Sequence, residues 1–277
     1  MPDLFALDFV RSALIVSVIM GLLLAYLGTH VVGRGIVFVD LALGQISMMG
    51  VAVAAYLEVD PTTIATVFTL VGALLLSFIK VKDKRLKQEA IIGIIYAVSS
   101  AVTVLLISKA AHGDADIQEV LFGSLFTVTR SDTVSIAVVF AILALVHLVF
   151  RKRFFEITEK FENHEIEELG AFNFWNFVFY ISIGLAIVLA VRAGGVIPVF
   201  SFLVIPPVSA ILMTRSQRAI IPIALVLAVL GSFLGIYFSV QFDFPAGSSI
   251  VSMLGAIFGV AALIRLLRGH APEDVQP

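Results

Sequence analysis

The residues able to do chemistry are few, and most lie inside apolar runs. Asp40 heads an apolar stretch that also holds Gln45 and Ser47. Burying an ionisable group among apolar neighbours is costly, so such residues mark transport routes, relays or bonds between helices. Asp40 has two readings: an ion pair with Arg34, or part of a polar route through the chain. At 3.6 residues per turn, Asp40 and Gln45 stand about 140° apart and do not share a narrow helical face. A second group lies in the run from Gln88 to Ser100. Glu89 there favours the positive end of a helix dipole. Tyr96, Ser99 and Ser100 carry hydroxyls that line a route or bond a neighbouring helix. The histidines, His30, His112, His147, His164 and His270, are scattered. His147 reads as a polar group near the end of a span, reaching for water or bonded to the next helix.

Several classes of function are excluded. No G-x-x-x-x-G-K-[ST] run is present to cradle nucleotide phosphates, and no H-E-x-x-H or spaced Cys/His set is present to hold zinc. With no Cys, thiolate chemistry and disulfides are absent. A net charge of -2 supplies no basic stripe for nucleic acid. The chain therefore reads as a non-enzyme without a resident cofactor.

The elements that hold these residues are legible in the composition. Of 277 residues, 60% are hydrophobic and 14% are charged, with a mean hydropathy of +1.08. That balance suits lipid, not water, as solvent. Apolar runs of spanning length occur at Phe9–Leu27, Ile36–Leu57, Thr62–Ile79, Ala90–Ile107, Thr133–Phe150, Phe174–Val191, Val196–Met213, Ile220–Val240 and Ser248–Leu267. None alternates with period two, so the expectation is an all-α, polytopic transmembrane bundle forming one domain over residues 1–277. An eight-span arrangement would make one run re-entrant. The N-terminus, Met1–Asp8, lacks the basic region of a cleaved leader, so the first run is expected to be retained.

Orientation follows from the basic residues. Lys80, Lys82, Lys84, Arg85 and Lys87 cluster, as do Arg151, Lys152 and Arg153, then Arg215 and Arg218, then Arg265 and Arg268. Nine spans place all of these, with Arg34, on one side if the N-terminus is outside and the C-terminus cytoplasmic. The intervening loops, Glu58–Pro61, Ala110–Asp132, Arg192–Gly195 and Gln241–Gly247, are acidic, neutral or poor in cations. In the longest of them, the apolar Leu121–Val128 reads as an amphipathic or re-entrant piece. Within Arg151–Ala171, Glu156, Glu159, Glu162, Glu165, Glu167 and Glu168 read as a solvated helical face, with a regulatory or metal-sensing group including His164 as the alternative.

Proline and glycine complete the pattern. Ile197-Pro198 and Ile205-Pro206-Pro207 are expected to interrupt one apolar segment, and Pro222 to start the next. A broken helix in lipid must have its freed carbonyls answered by protein or by a water-filled cavity, a feature of transport routes. Gly231/Gly235 and Gly255/Gly259 form two G-x-x-x-G pairs, suited to close helix contact within a subunit or across a dimer.

Five stretches in order resemble one family. They are Arg34 to Ala52, Glu89 to Ala97, Leu121–Leu125 with Thr129–Asp132, Phe202–Pro207 running to Arg215, and Asp243–Gly247 before Ser249–Val251. From about Ser12 to Arg265 the chain resembles the membrane permease of the bacterial zinc/manganese/iron ABC importers. The resemblance implies a homodimer in the bacterial inner membrane, with its path at the dimer axis, two cytoplasmic ATPase subunits and an extracytoplasmic solute-binding protein. It also implies that residues 206–218, with Pro206, Pro207, Arg215 and Arg218, couple to the ATPase. Members carry an Asp and a His four residues apart early in the second span, where this chain has Leu41 and Gln45. Asp40 is one residue early, a rotation of about 100°. Asp40 and Gln45 stay as metal-ligand candidates, and Asp40, Gln45, Ser47, Tyr96 and Ser99 as pathway residues. The alternatives are the same machine carrying another small polar solute or a metal chelate, and a stand-alone secondary carrier.

Overall fold

The computed structural model describes residues 7–79, 87–108, 125–163 and 173–268. Ten α-helices follow one another, with no strand among the described residues. They are α1 (Asp8–Gly33), α2 (Val39–Leu57), α3 (Pro61–Phe78), α4 (Gln88–Ile107), α5 (Arg130–Val149), α6 (Arg151–Glu162), α7 (Phe174–Gly194), α8 (Val196–Met213), α9 (Gln217–Phe242) and α10 (Ala246–Leu267). All except α6 are long and apolar enough to cross a membrane, so the described residues contain nine such helices, as expected from the apolar runs. The re-entrant eight-span arrangement is not needed.

Local chemistry sets several helix ends. Asp60 caps α3 by accepting from the Thr63 amide at 2.7 Å and its hydroxyl at 2.6 Å. Those bonds to Thr63 hold the exposed Asp60 carboxyl below its usual range. Thr129 and Asp132 close a reciprocal capping box at the start of α5. Glu58 and Asp243 end α2 and α9 at φ 55°, in the left-handed region.

The core forms around α1, α2, α7 and α8. α1 packs on α8 and α9, and α8 packs on α10. α2 packs on α3 and α4, and α3 on α7. α4 is peripheral: α2 is its principal neighbour, and Ile94, Val98 and Leu105 project outward. Of its residues only Ile92, Ser99 and Thr103 are buried.

The expected break at Pro198, Pro206 and Pro207 does not occur. α8 runs as one helix from Val196 to Met213. Pro198 falls in the first turn, where its missing N–H would be unpaired in any residue. Pro206 and Pro207 do lie inside, and Pro207 leaves the Leu203 carbonyl without its helical donor. That carbonyl sits against Gly28 of α1, where a Cβ would overlap it and would also lie 3.0 Å from the Pro207 ring. α1 and α8 therefore touch backbone to backbone. Pro222 is likewise inside α9, which begins earlier, at Gln217. The first G-x-x-x-G pair works within the subunit: a Cβ on Gly235 would lie 2.5 Å from Ile250 Cα, and Gly231 faces Leu254. Gly255 and Gly259 meet nothing within 4 Å.

The loop after α5 proves to be helical in its first half. α6 buries Phe154, Ile157, Thr158 and Phe161 and exposes Glu156, Glu159 and Glu162, so the solvated helical face is present there. His164, Glu165, Glu167 and Glu168 lie outside the described residues, as do Leu121–Ser124 of the apolar piece before α5. Its later part holds a single 3-10 turn, Leu125–Thr127, with Leu125 buried.

The backbone contact at Gly28 gives a direct test. Gly28→Ala is expected to force α1 from α8 and to cost about 1–3 kcal/mol, the range for overpacking a filled core. Thermal unfolding of the detergent-solubilised chain reads this as a lowered midpoint.

Candidate functional site: polar residues within the helical bundle

α2 carries the polar residues singled out by the sequence. Asp40, Gln45 and Ser47 are 2%, 8% and 3% exposed. Their neighbours can be placed from contacts around the helix. Gly44 faces Val191 and Val196, at the turn between α7 and α8. Gly50 faces Ala65 and Phe68, and Leu43 and Ile46 face Gly72, all of α3. At 100° per residue, Asp40, Gly44 and Ser47 share the side toward α7 and α8. Leu41 and Gln45 fall on the remaining side, where α4 packs. The buried stripe of α4, which includes Ser99, faces α2 from there. Tyr96 does not join it and is 37% exposed.

Asp40 and Arg34 do not pair. Asp40 is buried with no hydrogen-bond partner at Oδ1. Arg34 turns away to a different set of groups: Nε donates to Thr158 Oγ1 at 3.1 Å, and Nη1 donates to Asn176 Oδ1 at 3.0 Å. Its guanidinium lies 3.6 Å above the Phe179 ring. Asn176 Nδ2 in turn donates to the Ser77 carbonyl at 3.2 Å. Arg34 thus ties the end of α1 to α6 and α7, and through Asn176 to α3.

Thr158 is the hub of this network. Its hydroxyl donates to the Phe154 carbonyl at 2.9 Å, which uses its one hydrogen. It must therefore accept from Arg34 and from His30 Nδ1, 2.9 Å away. His30 Nε2 is then the acceptor for the Tyr26 hydroxyl at 3.3 Å. The result is a directed chain, Tyr26 to His30 to Thr158 to the backbone of α6, sealed among aromatic rings. His147 is nearby but outside it. It stacks on Phe154 at 4.0 Å between centroids, fully buried, with no hydrogen-bond partner at either ring nitrogen. It neither reaches water nor bonds a neighbouring helix, contrary to the sequence reading. The sequence reading also passed over Tyr26 and His30. The signal was there: Tyr26, His30 and Arg34 recur every four residues and so share one face of α1.

The expected coupling residues divide into two pairs. Pro206 and Pro207 are buried in α8, whereas Arg215 and Arg218 are exposed around the α8–α9 turn. Arg268 donates to the Met213 carbonyl at 2.7 Å, joining the end of α10 to the end of α8. Among the described residues no three His, Cys, Asp or Glu side chains gather as a metal site.

Nine apolar helices of spanning length, with buried polar groups on the central ones, are the architecture of a multi-pass membrane protein. The chain belongs to the ABC 3 transport family, whose model matches residues 6–265. It is similar to the manganese transport system membrane protein MntC of Listeria monocytogenes, at 28% identity over 273 residues, 97% of this chain and 95% of that one. A probable iron transport system membrane protein of Haemophilus influenzae is 27% identical over 261 residues, 94% of this chain and 91% of that one. Among solved structures, PsaBC from Streptococcus pneumoniae in complex with Fab aligns with a TM-score of 0.78 at 24% identity, over 97% of this chain and 98% of that one. This last likeness is one of fold.

Replacing the hub tests its importance. Thr158→Val leaves the buried Nε of Arg34 and Nδ1 of His30 without an acceptor, at about 1–3 kcal/mol for each unsatisfied group. Thr158→Ser keeps the hydroxyl and is expected to unfold close to the wild type in the same thermal assay.

Proposed function

We propose that the chain is the permease subunit of an ATP-driven importer whose cargo is a divalent metal ion, manganese, iron or zinc. The observation that carries this is membership of the ABC 3 transport family over nearly the whole length, with relatives named for manganese and iron transport. The chain works as a homodimer in the bacterial cell membrane, with ATPase subunits on the cytoplasmic side and a solute-binding protein outside. Its N-terminus is outside and its C-terminus cytoplasmic. Charge supports that orientation: Arg34, Arg151, Lys152, Arg153, Arg215, Arg218, Arg265 and Arg268 gather at one end of the bundle, opposite Glu58, Asp60, Asp132 and Asp243.

The cargo's route runs beside α2. Asp40 and Ser47 line its α7–α8 side, and Gln45 with Ser99 lines its α4 side, with Tyr96 at the outer face of α4. Asp40 and Gln45 are the groups able to offer oxygen to a hard cation. Within the coupling segment 206–218, docking to the ATPase falls to Arg215 and Arg218. Pro206 and Pro207 lie behind them and pass displacement to α1 through the Leu203–Gly28 contact.

A second reading keeps the machine and changes the cargo to another small polar solute or a metal chelate. It is favoured by Leu41, an apolar side chain on the same α2 face as the Gln45 amide. Elemental analysis of metal-starved cells with and without the gene decides between them. One metal should fall in the deletion strain and return on complementation, and Asp40→Ala should prevent its return. If no metal changes, the second reading replaces the first. Arg215→Glu with Arg218→Glu should abolish co-purification of the ATPase. Retained association and transport would remove these residues from the interface.

A further inference from the structure

The corner where α5, α6 and α7 meet combines features that no part of the transport route uses. α5 has 20 residues, about 30 Å at 1.5 Å per residue, which matches the hydrocarbon thickness of a bilayer. Its last residue, Val149, therefore lies at the boundary of the hydrocarbon. Directly there stand Phe150 and Phe174, exposed by 42% and 56%. Trp175 sits among them, 4.6 Å from the Phe150 ring and 5.3 Å from the Phe174 ring, half-buried against the bundle. One step further on come Arg151, Lys152 and Arg153, all exposed. Arg153 is engaged by Glu156 at 3.3 Å. Arg151 and Lys152 make no ion pair among the described residues.

We infer that this corner is a binding site for an anionic phospholipid, with Arg151 and Lys152 on the headgroup and the aromatic residues against its glycerol and upper acyl region. The order along the membrane normal, hydrocarbon then aromatic rings then unpaired cations, is the order of the lipid's own parts read from tail to phosphate. Aromatic rings of this kind settle at the headgroup level. A cation near an anionic surface contributes attraction that falls off within a Debye length, so only the two cations immediately beyond the boundary count. A soluble partner of opposite charge would fit Arg151 and Lys152. It would not account for the exposed rings of Phe150 and Phe174, packed with Trp175 at the end of a membrane-spanning helix.

The chain carries its own reporter, because Trp175 is its only tryptophan. The intact protein is reconstituted into symmetric vesicles that contain a fixed fraction of phosphatidylglycerol in phosphatidylcholine. In one set the phosphatidylglycerol is dibrominated, and in the other the phosphatidylcholine is. Bromine quenches tryptophan on contact, so Trp175 emission ranks the two lipids at this corner. The anionic lipid should be preferred by about tenfold, equivalent to about 1.4 kcal/mol. Arg151→Gln with Lys152→Gln should bring the two lipids to parity, while Arg153→Gln should leave most of the preference. Equal quenching in the wild-type protein overturns the inference, as does a preference that survives the double substitution. Absence of quenching by either lipid overturns it too, since protein then covers Trp175. Because the vesicles are symmetric, the outcome does not depend on which end of the chain faces the cytoplasm or on what cargo it carries.

Discussion

A carbonyl without a donor has nowhere to go in a lipid-surrounded bundle, and the arrangement of the central helices answers one such group. Pro207 removes the N–H that Leu203 would use, and α1 meets the freed oxygen with a glycine, Gly28. A side chain at Gly28 would collide with that oxygen, so the close approach of α1 and α8 is set by one proline and one glycine. The consequence spreads outward. With α1 pressed on α8, Gly21 is left facing the Phe202 ring, and Ser232 of α9 can reach the Ser17 carbonyl of α1 at 3.1 Å. The continuity of α8 fits the same picture, because packing on α1, α2, α7, α9 and α10 holds the helix through two consecutive prolines.

At one end of this core the polar groups are gathered into a hydrogen-bonded network, and along α2 they are dispersed. Tyr26, His30, Arg34, Thr158 and Asn176 bond to one another across three helices, α1, α6 and α7, which ties those helices together at that end. On α2 instead, Asp40 and Ser47 face α7 and α8 while Gln45 faces the opposite way, toward α4. The first arrangement suits fixing helices to one another. The second suits groups that meet a transient occupant.

Much of the architecture was legible in the sequence because lipid imposes a strong rule on length and polarity. The nine apolar runs correspond to nine helices, with most ends moved by a few residues where caps such as Asp60 and Thr129 extend the helix beyond the apolar stretch. The exposed glutamates of α6 were readable as a solvated helical face, but its inward residues, Phe154, Ile157, Thr158 and Phe161, were not, since they are spread among charges that dominate the local composition. What the sequence concealed was partnership. Arg34 and Asp40 are close along the chain and opposite in charge, yet Arg34 finds aromatic and amide partners from α6 and α7, far away in sequence. His147 defied its polarity for a similar reason: three distant aromatic residues, Tyr26, Phe154 and Phe179, supply a pocket that no local pattern announces. The apparent proline break was misleading because a proline's cost depends on what faces the carbonyl it frees.

The unequal embedding of the helices makes the bundle mechanically uneven. α1 is held by α5, α6, α7, α8 and α9, and any shift of it disturbs all of them. α4 is held chiefly by α2, with the Gln88–Tyr180 hydrogen bond at 3.0 Å as its one side-chain tether to α7 among the described residues. Displacing α4 thus strains a single seam, lined by Gln45 on one side and Ser99 on the other. A widening of that seam would bear on the Gln88–Tyr180 tether before it reached the α1–α8 contact.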